Sequence, residues 1–295
     1  MAASSKRAAK RRGETVTEPP ASAAGARSEH LDTTQQKQAA EHTSPQAIVI
    51  HEVVREEGEA ELKRSASALT WSALAAGLSM GFSLLSLALL QAVLPQAPWA
   101  DIICSAGYTV GFVIVIMGRQ QLFTESTLTA MLPLFVRRDR ATFLNVMRLW
   151  AIVLVANLVG TALIARLLSL PGVFEPNVYQ AMRGLGAHIV HGDNVPAFIR
   201  AVFAGWLIAL MVWVLPSARS ARLLVILFFT YIVGLGHFPH IVAGSVEAAF
   251  AVFAGDASVG TYFTGFLLPT LLANTIGGVA LAALLNYAPL AEELS

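Results

Sequence analysis

Long apolar blocks separated by short charged segments dominate the sequence after residue 65. Six blocks contain no Asp, Glu, Lys or Arg, and they lie between Arg64 and Asp101, Asp101 and Arg119, Arg148 and Arg166, Arg200 and Arg219, Arg222 and Glu247, and Asp256 and Glu292. A membrane-spanning helix needs roughly 20 mostly apolar residues. The pattern therefore predicts an all-α membrane protein with six transmembrane helices over residues 66–290.

Two of the six blocks are interrupted. In the second block the apolar run ends at Gly118, and only the eleven residues Ser126–Val136 remain uncharged before an arginine cluster. Eleven helical residues rise about 16 Å, which is half of a bilayer. In the fifth block Pro239 and two nearby glycines interrupt the run, and proline removes a backbone donor. We therefore predict that the second and fifth helices are broken near the membrane centre, and that the later half of the fifth begins near His240.

Broken helices at corresponding positions of two three-helix halves indicate an inverted repeat, with a binding site where the halves meet. The later half-helix of each pair begins at mid-membrane, so two helix N-termini converge there. Each N-terminus carries unpaired N–H groups and about half a positive charge. Such a place favours an anion, so the pattern is typical of a protein that transports a small anion.

The first 65 residues are polar and open with a basic cluster. This composition predicts a mostly disordered cytoplasmic tail over residues 1–65, with a short surface helix near 51–64. The cluster is typical of a topology signal or of a segment that contacts anionic membrane lipid, and we expect no nucleic-acid partner. With the N-terminus inside, sixteen Lys and Arg lie in cytoplasmic segments against three outside. The positive-inside rule then predicts that both termini are cytoplasmic.

The sequence lacks the patterns of an enzyme. Its Cys, His, Asp and Glu residues do not have metal-site spacing, and it contains no nucleophile triad or phosphate-binding loop. We therefore expect no catalytic residue, no cofactor and no metal.

Small residues and asparagines recur along the apolar blocks. Gly77, Asn157, Gly160 and Asn274 are typical of helices that approach closely and are bridged by hydrogen bonds. We expect these residues to pack the helices rather than to bind a ligand.

Several motifs stand in an order that resembles the formate/nitrite transporter family over about residues 67–287. The sequence QLFT ends at Thr124 near the break of the second helix, and His240 follows the break of the fifth. The other matches are NLVG at Asn157–Gly160, Arg200 with Trp206–Trp213, His240 with Ala243, and ANTIGG at Ala273–Gly278. The resemblance implies an aquaporin-like fold, a homopentamer in a bacterial inner membrane, and a separate pore in each protomer.

The resemblance also implies which residues line the pore. Thr124 corresponds to the family's loop threonine and His240 to its central histidine. Four further residues are implied, which are Leu122 and Phe123 at a hydrophobic constriction and Phe112 and Tyr108 along the outer wall. We expect His240 to stay neutral in the membrane and to donate a hydrogen bond. A buried core histidine and a helix-capping threonine are the alternatives.

Some positions depart from the family's pattern. Arg119 and Glu125 flank the break of the second helix, and charged side chains are costly at this depth unless they are paired. We therefore predict an Arg119–Glu125 ion pair that staples the loop. The family's usual outer-vestibule lysine is absent, and His188 and His191 fall in that region.

The patterns and the resemblance together predict passive or proton-linked movement of a small monovalent anion, similar to formate or nitrite, or of its weak acid. Hydrophobic constrictions would strip the ion of water and favour its neutral acid form. A neutral-solute channel on the same scaffold and a non-conducting, membrane-anchored interaction protein are the alternatives.

Overall fold

The computed structural model describes residues 32–36, 45–190, 194–218 and 220–291. The chain divides after Pro45 into two units. In the first unit, residues 33–36 form one helical turn, and Oδ1 of Asp32 accepts hydrogen bonds at 2.8 Å from the N–H groups of Thr34 and Gln35. The basic cluster of the tail, and most of the disorder expected there, fall outside the described residues.

The second unit is helical throughout its described ranges. Its helices are α1 (Ala47–Leu62), α2 (Ala66–Val93), α3 (Ala100–Met117), α4 (Phe123–Thr129), α5 (Met131–Arg137), α6 (Arg140–Leu168), α7 (Pro176–Val190), α8 (Asn194–Val214), α9 (Arg222–Leu235), α10 (Ala243–Phe253) and α11 (Val259–Leu290). A 3₁₀ turn, Leu215–Ser217, follows α8, and α11 includes the π-helical stretches Tyr262–Leu267 and Gly277–Leu284. The predicted all-α class is confirmed.

Five helices are long and apolar enough to cross a membrane, namely α2, α3, α6, α8 with its 3₁₀ turn, and α11. Helices α9 and α10 are apolar but have only 14 and 11 residues. At 1.5 Å per residue, neither reaches across a hydrocarbon core of about 30 Å. The expected sixth crossing would have to be made by α9 and α10 together.

Both predicted breaks are present. Helix α3 ends at Met117 and the chain becomes helical again at Phe123. Helix α9 ends at Leu235, and α10 begins at Ala243, three residues later than the start near His240 that the proline suggested. Just before the helix, the side chain of His240 accepts a hydrogen bond from the backbone N–H of Ala243, and its carbonyl accepts one from that of Gly244. His240 therefore stands before the helix, in the position of a cap.

The two breaks have the same backbone conformation at positions 118 residues apart. Arg119 and His237 both adopt left-handed backbone, with φ of 49° and 47°. The next residues, Gln120 and Phe238, each donate a backbone hydrogen bond to the carbonyl five residues earlier, at 2.9 and 3.0 Å. A non-glycine residue with positive φ is uncommon. The same uncommon turn at corresponding positions supports the predicted repeat of two halves.

Each half-helix packs into the opposite half of the molecule. Helix α10 packs on α2 and α6, whereas α4 packs on α8 and α11. Close crossings make this possible, since a Cβ added at Gly77 would lie 2.2 Å from the carbonyl oxygen of Asn157, and one added at Gly205 would lie 2.2 Å from that of Asn274. The two breaks consequently meet in the interior, where a pore residue from one half can reach the other.

Helix α1 is docked against the membrane helices. It begins four residues before and ends two residues before the surface helix expected near 51–64, and it packs on α4, α5, α6 and α8. Its buried residues recur at helical spacing, and they are His51, Val54, Gly58 and Leu62. The helix is therefore part of the second unit rather than of the tail.

Candidate functional site

A side-chain hydrogen bond joins the two broken helices, with Nε2 of His240 2.8 Å from Oγ1 of Thr124. Both side chains are fully buried. Nδ1 of His240 accepts the hydrogen bond from Ala243 N–H, at 3.2 Å. Because Nδ1 is an acceptor, the ring proton of the neutral imidazole lies on Nε2, which donates to Thr124. The hydroxyl of Thr124 then keeps its own hydrogen for another acceptor.

Two aromatic residues extend from His240 along α3. The ring of Phe112 meets that of His240 edge-on, at 5.0 Å between centroids, and the ring of Tyr108 lies 5.4 Å from that of Phe112. Both aromatic side chains are buried. Gly234 makes room for this arrangement, because a Cβ there would lie 2.9 Å from Cβ of Tyr108. The structure thus brings four of the six expected pore residues into one contiguous row.

The other two expected pore residues, Leu122 and Phe123, directly precede Thr124 and are also buried. Leu122 stands 118 positions before His240, so it is the counterpart of the histidine in the first half. The ring of Phe123 contacts Trp150 of α6 edge-on at 5.8 Å. All six residues therefore lie at or beside the meeting point of the breaks.

An asparagine on α6 holds the first break in place. Oδ1 of Asn157 accepts from the N–H of Phe123 at 3.0 Å, and its Nδ2 donates to the carbonyls of Gln121, at 3.0 Å, and Ala73, at 2.7 Å. The side chain is fully buried. Three elements of the first half are thereby tied together at one residue.

Asn274 on α11 does the same for the second break. Its Oδ1 accepts from the N–H of Ile241 at 2.8 Å, and its Nδ2 donates to the carbonyls of Pro239, at 3.0 Å, and Ala201, at 2.7 Å. Each asparagine therefore occupies one N–H group at the start of a half-helix. Those two N–H groups are not free for an anion, which weakens the attraction expected from two converging helix N-termini.

The sequence predicted that the two asparagines bridge helices, but not that they also bond the backbone of the two breaks. A signal was present in the sequence, because both belong to the same pattern, Asn-x-x-Gly, at Asn157–Gly160 and Asn274–Gly277. The glycine of each pattern lies at a close crossing, since a Cβ added there would lie 2.2 to 2.5 Å from a carbonyl oxygen of the facing helix. One turn of helix thus supplies both the clamp and the room for the approach.

The expected ion pair between Arg119 and Glu125 does not form. Arg119 is exposed, and the salt bridges within the described ranges do not include either residue. The cause is the backbone turn at the break, where Arg119 takes its left-handed conformation. Glu125 is half-buried in the first turn of α4.

Helix α1 contacts the first break directly. Arg64, just after the helix, donates a hydrogen bond of 2.7 Å to Oε1 of Gln121. Oε2 of Glu61 accepts one of 2.6 Å from the hydroxyl of Thr129, at the end of α4. Burial raises the pKa of the Glu61 carboxyl above its ordinary value. These contacts connect α1 to the loop that carries the expected pore residues Leu122, Phe123 and Thr124.

His51 anchors the other end of α1. Its fully buried ring contacts those of Trp213 and Tyr287, at centroid distances of 6.4 and 5.7 Å. Nδ1 lies 3.0 Å from a carboxylate oxygen of Glu52, whereas Nε2 is buried without a hydrogen-bond partner in the described structure. Burial lowers the pKa of His51 below its ordinary value, so the docked helix favours the neutral ring.

Of the two histidines expected near the outer vestibule, the structure describes only His188. The ring centroid of His188 lies 5.8 Å from that of His237, whereas His191 is outside the described residues. Among the residues that the structure describes, no three His, Cys, Asp or Glu side chains form a group that could hold a metal ion.

Comparisons with known proteins bear on this arrangement. The sequence profile described as "Formate/nitrite transporter" matches residues 48–288. The chain is 41% identical over 249 residues to the inner membrane protein YfdC of Escherichia coli (strain K12), which covers 84% of this chain and 80% of that protein. It is 27% identical over 205 residues to a probable formate transporter of Methanothermobacter thermautotrophicus, covering 63% of this chain and 74% of that protein.

Two solved structures share the fold. A pentameric formate channel with formate bound matches with a TM-score of 0.65 at 18% identity, covering 76% of this chain and 97% of that one. An FNT family ion channel matches with a TM-score of 0.66 at 19% identity, covering 82% and 96%. Since the family profile spans α1 to α11 and both breaks, the chain belongs to the formate/nitrite transporter family, whose members are membrane transport proteins and not enzymes.

Proposed function

We propose that each protomer conducts a small monovalent anion or its weak acid, by a passive or proton-linked route that passes His240 and Thr124. The observation that carries the proposal is the buried hydrogen bond between these two side chains, which come from opposite halves of the molecule. Such a bond offers a permeating molecule two polar groups in an otherwise apolar passage. A carboxylic acid or its anion is small enough to replace the bond between them.

Tyr108 and Phe112 line the proposed path on one side of this pair. Leu122 and Phe123, which directly precede Thr124 in the sequence, line it next to the pair. These side chains offer little solvation to an ion, so the ion must leave its water behind. Loss of water disfavours the charged form of a weak acid and raises the pKa of the substrate. The molecule therefore crosses His240 and Thr124 as the neutral acid.

The hydrogen-bonding state of the site suits a neutral substrate. His240 has its Nδ1 occupied by a backbone N–H, so the ring contributes a hydrogen-bond donor without a fixed charge. The hydroxyl of Thr124 can donate to a substrate oxygen and accept from an acidic O–H. Both half-helices also have one of their first N–H groups occupied by an asparagine, which leaves less charge to trap an anion.

The charge pattern and the same comparisons support a proposed orientation and assembly. The sixteen-to-three distribution of Lys and Arg favours cytoplasmic termini, with α1 on the cytoplasmic side. One structural relative is a pentameric formate channel and one sequence relative is an inner membrane protein, which supports a homopentamer in an inner membrane, surrounded by lipid. Native mass spectrometry in detergent tests the subunit number, and a stable monomer or trimer would contradict it.

Flux through purified protein in liposomes tests the role of His240. Replacement of His240 by Phe removes the hydrogen bond to Thr124 and the polar surface, so formate flux should be lost while the protein still assembles. Replacement by Asn keeps a donor, and flux should persist with altered pH dependence. Normal flux in an assembled His240→Phe protein would refute the proposal, as it would show that His240 is only a core residue.

A substrate panel separates this function from the alternatives. Formate, nitrite, glycerol and water are compared at several pH values, with empty liposomes as the control. Faster flux of glycerol than of formate would indicate a neutral-solute channel. Absence of flux for all four compounds in an assembled protein would favour a non-conducting interaction protein.

A further inference from the structure

A cavity of about 60 Å³ lies next to the row of pore residues. Tyr108, Gly234 and Pro239 form part of its wall, so it adjoins the aromatic end of the proposed path. A single water molecule needs roughly 10–15 Å³, so the cavity accommodates a small anion or a few waters. Its polar or titratable lining residues are Tyr108, His188, Arg200, His237 and Glu247.

Three of these residues make the cavity attractive to an anion. Nε of Arg200 is buried and has no hydrogen-bond partner in the part of the chain that the structure describes. His188 and His237 are exposed, with their rings 5.8 Å apart. A guanidinium and two imidazoles at one cavity supply donors that a carboxylate or a similar anion can use.

Glu247 is the acidic member of the cavity. It lies on α10 with only 9% of its surface exposed. Within the described ranges it has no hydrogen bond and no ion pair, in contrast to Asp256 at the end of the same helix, which binds Arg183. An unpaired carboxylate is costly inside a membrane protein, and titratable residues in such places commonly belong to proton pathways.

The internal repeat does not require an acid at this position. The counterpart of Glu247 in the first half, 118 positions earlier, is Thr129. The hydroxyl of Thr129 binds Glu61 of α1 at 2.6 Å. A carboxyl is thus present at both of these corresponding positions, once from the repeat itself and once from a helix outside it.

We propose that Glu247 exchanges a proton with the permeating weak acid in this cavity, an inference that rests on the function proposed above. The acid form of Glu247 gives its proton to an oxygen of the entering anion, so one O–H bond breaks on the glutamic acid and one forms on the substrate. The neutral acid then moves past Tyr108 and Phe112. The carboxylate of Glu247 regains a proton from the aqueous phase, which reaches the cavity beside His188 and His237. Transport in the other direction reverses the same steps.

Other titratable and charged groups surround Glu247 and must be distinguished from it. Helix α2, which packs on α10, contributes none. The remaining neighbours are Tyr108, His188, Arg200 and His237 at the cavity, Tyr179 against the ring of Phe250, Tyr262 bonded to Ser245 of α10, Arg166 over the ring of Phe253, and Arg183 bound to Asp256. Because two of these are histidines, pH dependence alone does not identify the carboxyl, and the test needs substitutions of Glu247 itself.

The experiment measures formate flux in liposomes that contain the full chain, across about pH 5 to 8. Glu247→Gln keeps the size of the side chain but cannot release a proton, whereas Glu247→Asp still can. We expect Gln to lower formate flux about 10-fold or more and to flatten its pH profile. Asp should retain a substantial part of the flux with its pH profile shifted. Glu175→Gln, which removes a carboxylate outside the cavity, is the matched control and should behave as the wild type.

A second readout does not depend on flux. Infrared difference spectra on addition of formate should contain a carboxylic-acid band that is present in the wild type and missing in Glu247→Gln. Wild-type flux or increased flux in an assembled Glu247→Gln protein would overturn the inference, since an increase would mean that the carboxylate only repels anions. If Gln prevents assembly, an unshifted pH profile in Glu247→Asp together with no band change on formate addition overturns it. Absence of formate flux in the wild type would instead refute the proposed function.

Discussion

Removal of one asparagine clamp should open the corresponding break and leave the other intact. Asn274→Ala deletes three hydrogen bonds, to Ile241, Pro239 and Ala201, and leaves their backbone groups buried without that partner. A buried hydrogen bond contributes about 1 kcal/mol in water-soluble proteins and about 0.6 kcal/mol on average between membrane helices. Three bonds with their unsatisfied partners therefore give a loss of about 2 to 4 kcal/mol.

Hydrogen–deuterium exchange measured by mass spectrometry follows each break separately. A loss of about 3 kcal/mol raises the population of the opened loop on the order of 100-fold. Asn274→Ala should accelerate exchange of the peptide that contains residues 239–241, whereas Asn157→Ala should accelerate the one that contains residues 121–123. Formate flux should fall in both variants, since His240 and Thr124 lose their fixed positions.

Asn286→Ala is the matched control. Asn286 is also on α11 and donates a single hydrogen bond of 2.7 Å to Ala282, one turn earlier in the same helix. Its loss should change stability by less than about 1 kcal/mol and leave both breaks protected. If the Asn157 and Asn274 variants exchange no faster at the breaks than the Asn286 variant, the clamp argument is wrong.

Two further predictions concern the docking of α1. Gly58→Ala places a Cβ 1.9 Å from the carbonyl oxygen of Thr129, so α1 should detach and trypsin should cut faster after Arg64. The control is Gly184→Ala, at an open helical position. Equal cleavage rates in the two variants would count against tight docking. Burial lowers the pKa of His51, so its contribution to docking is complete above the unfolded value of about 6.5 and is lost as the pH falls through the lower folded pKa. Trypsin sensitivity should therefore rise in acid, and a rise of the same size in His51→Phe would exclude His51 as the cause.

The fold was predictable because its main determinants are local in sequence. Gaps between charged residues reveal the spans, and Pro239 with the uncharged run Ser126–Val136 reveals the breaks. The start of α10 was placed three residues early, since proline marks only where a helix is disfavoured. The His240 side chain also bonds the backbone N–H of Ala243, and a side-chain contact is not visible in a hydropathy pattern.

The candidate site was predictable in its residues but only partly in its contacts. The resemblance identified His240 and Thr124, which lie 116 residues apart and form a hydrogen bond. The predicted Arg119–Glu125 ion pair was wrong. Nearness in sequence and opposite charge do not reveal the backbone turn that separates the two side chains. Arg119 stands at the left-handed turn and is exposed, whereas Glu125 is half-buried in the first turn of α4.

The chemistry of the pore follows from the positions at which the two halves differ. Scaffold positions are repeated, as the two asparagine clamps and the two left-handed turns demonstrate. The expected pore positions are not repeated, since His240 corresponds to Leu122 and Thr124 corresponds to Val242 at the same spacing of 118 residues. One polar residue from each half, opposite an apolar counterpart, forms a single hydrogen bond between the halves, and this is the bond that a small acid replaces in the function we propose.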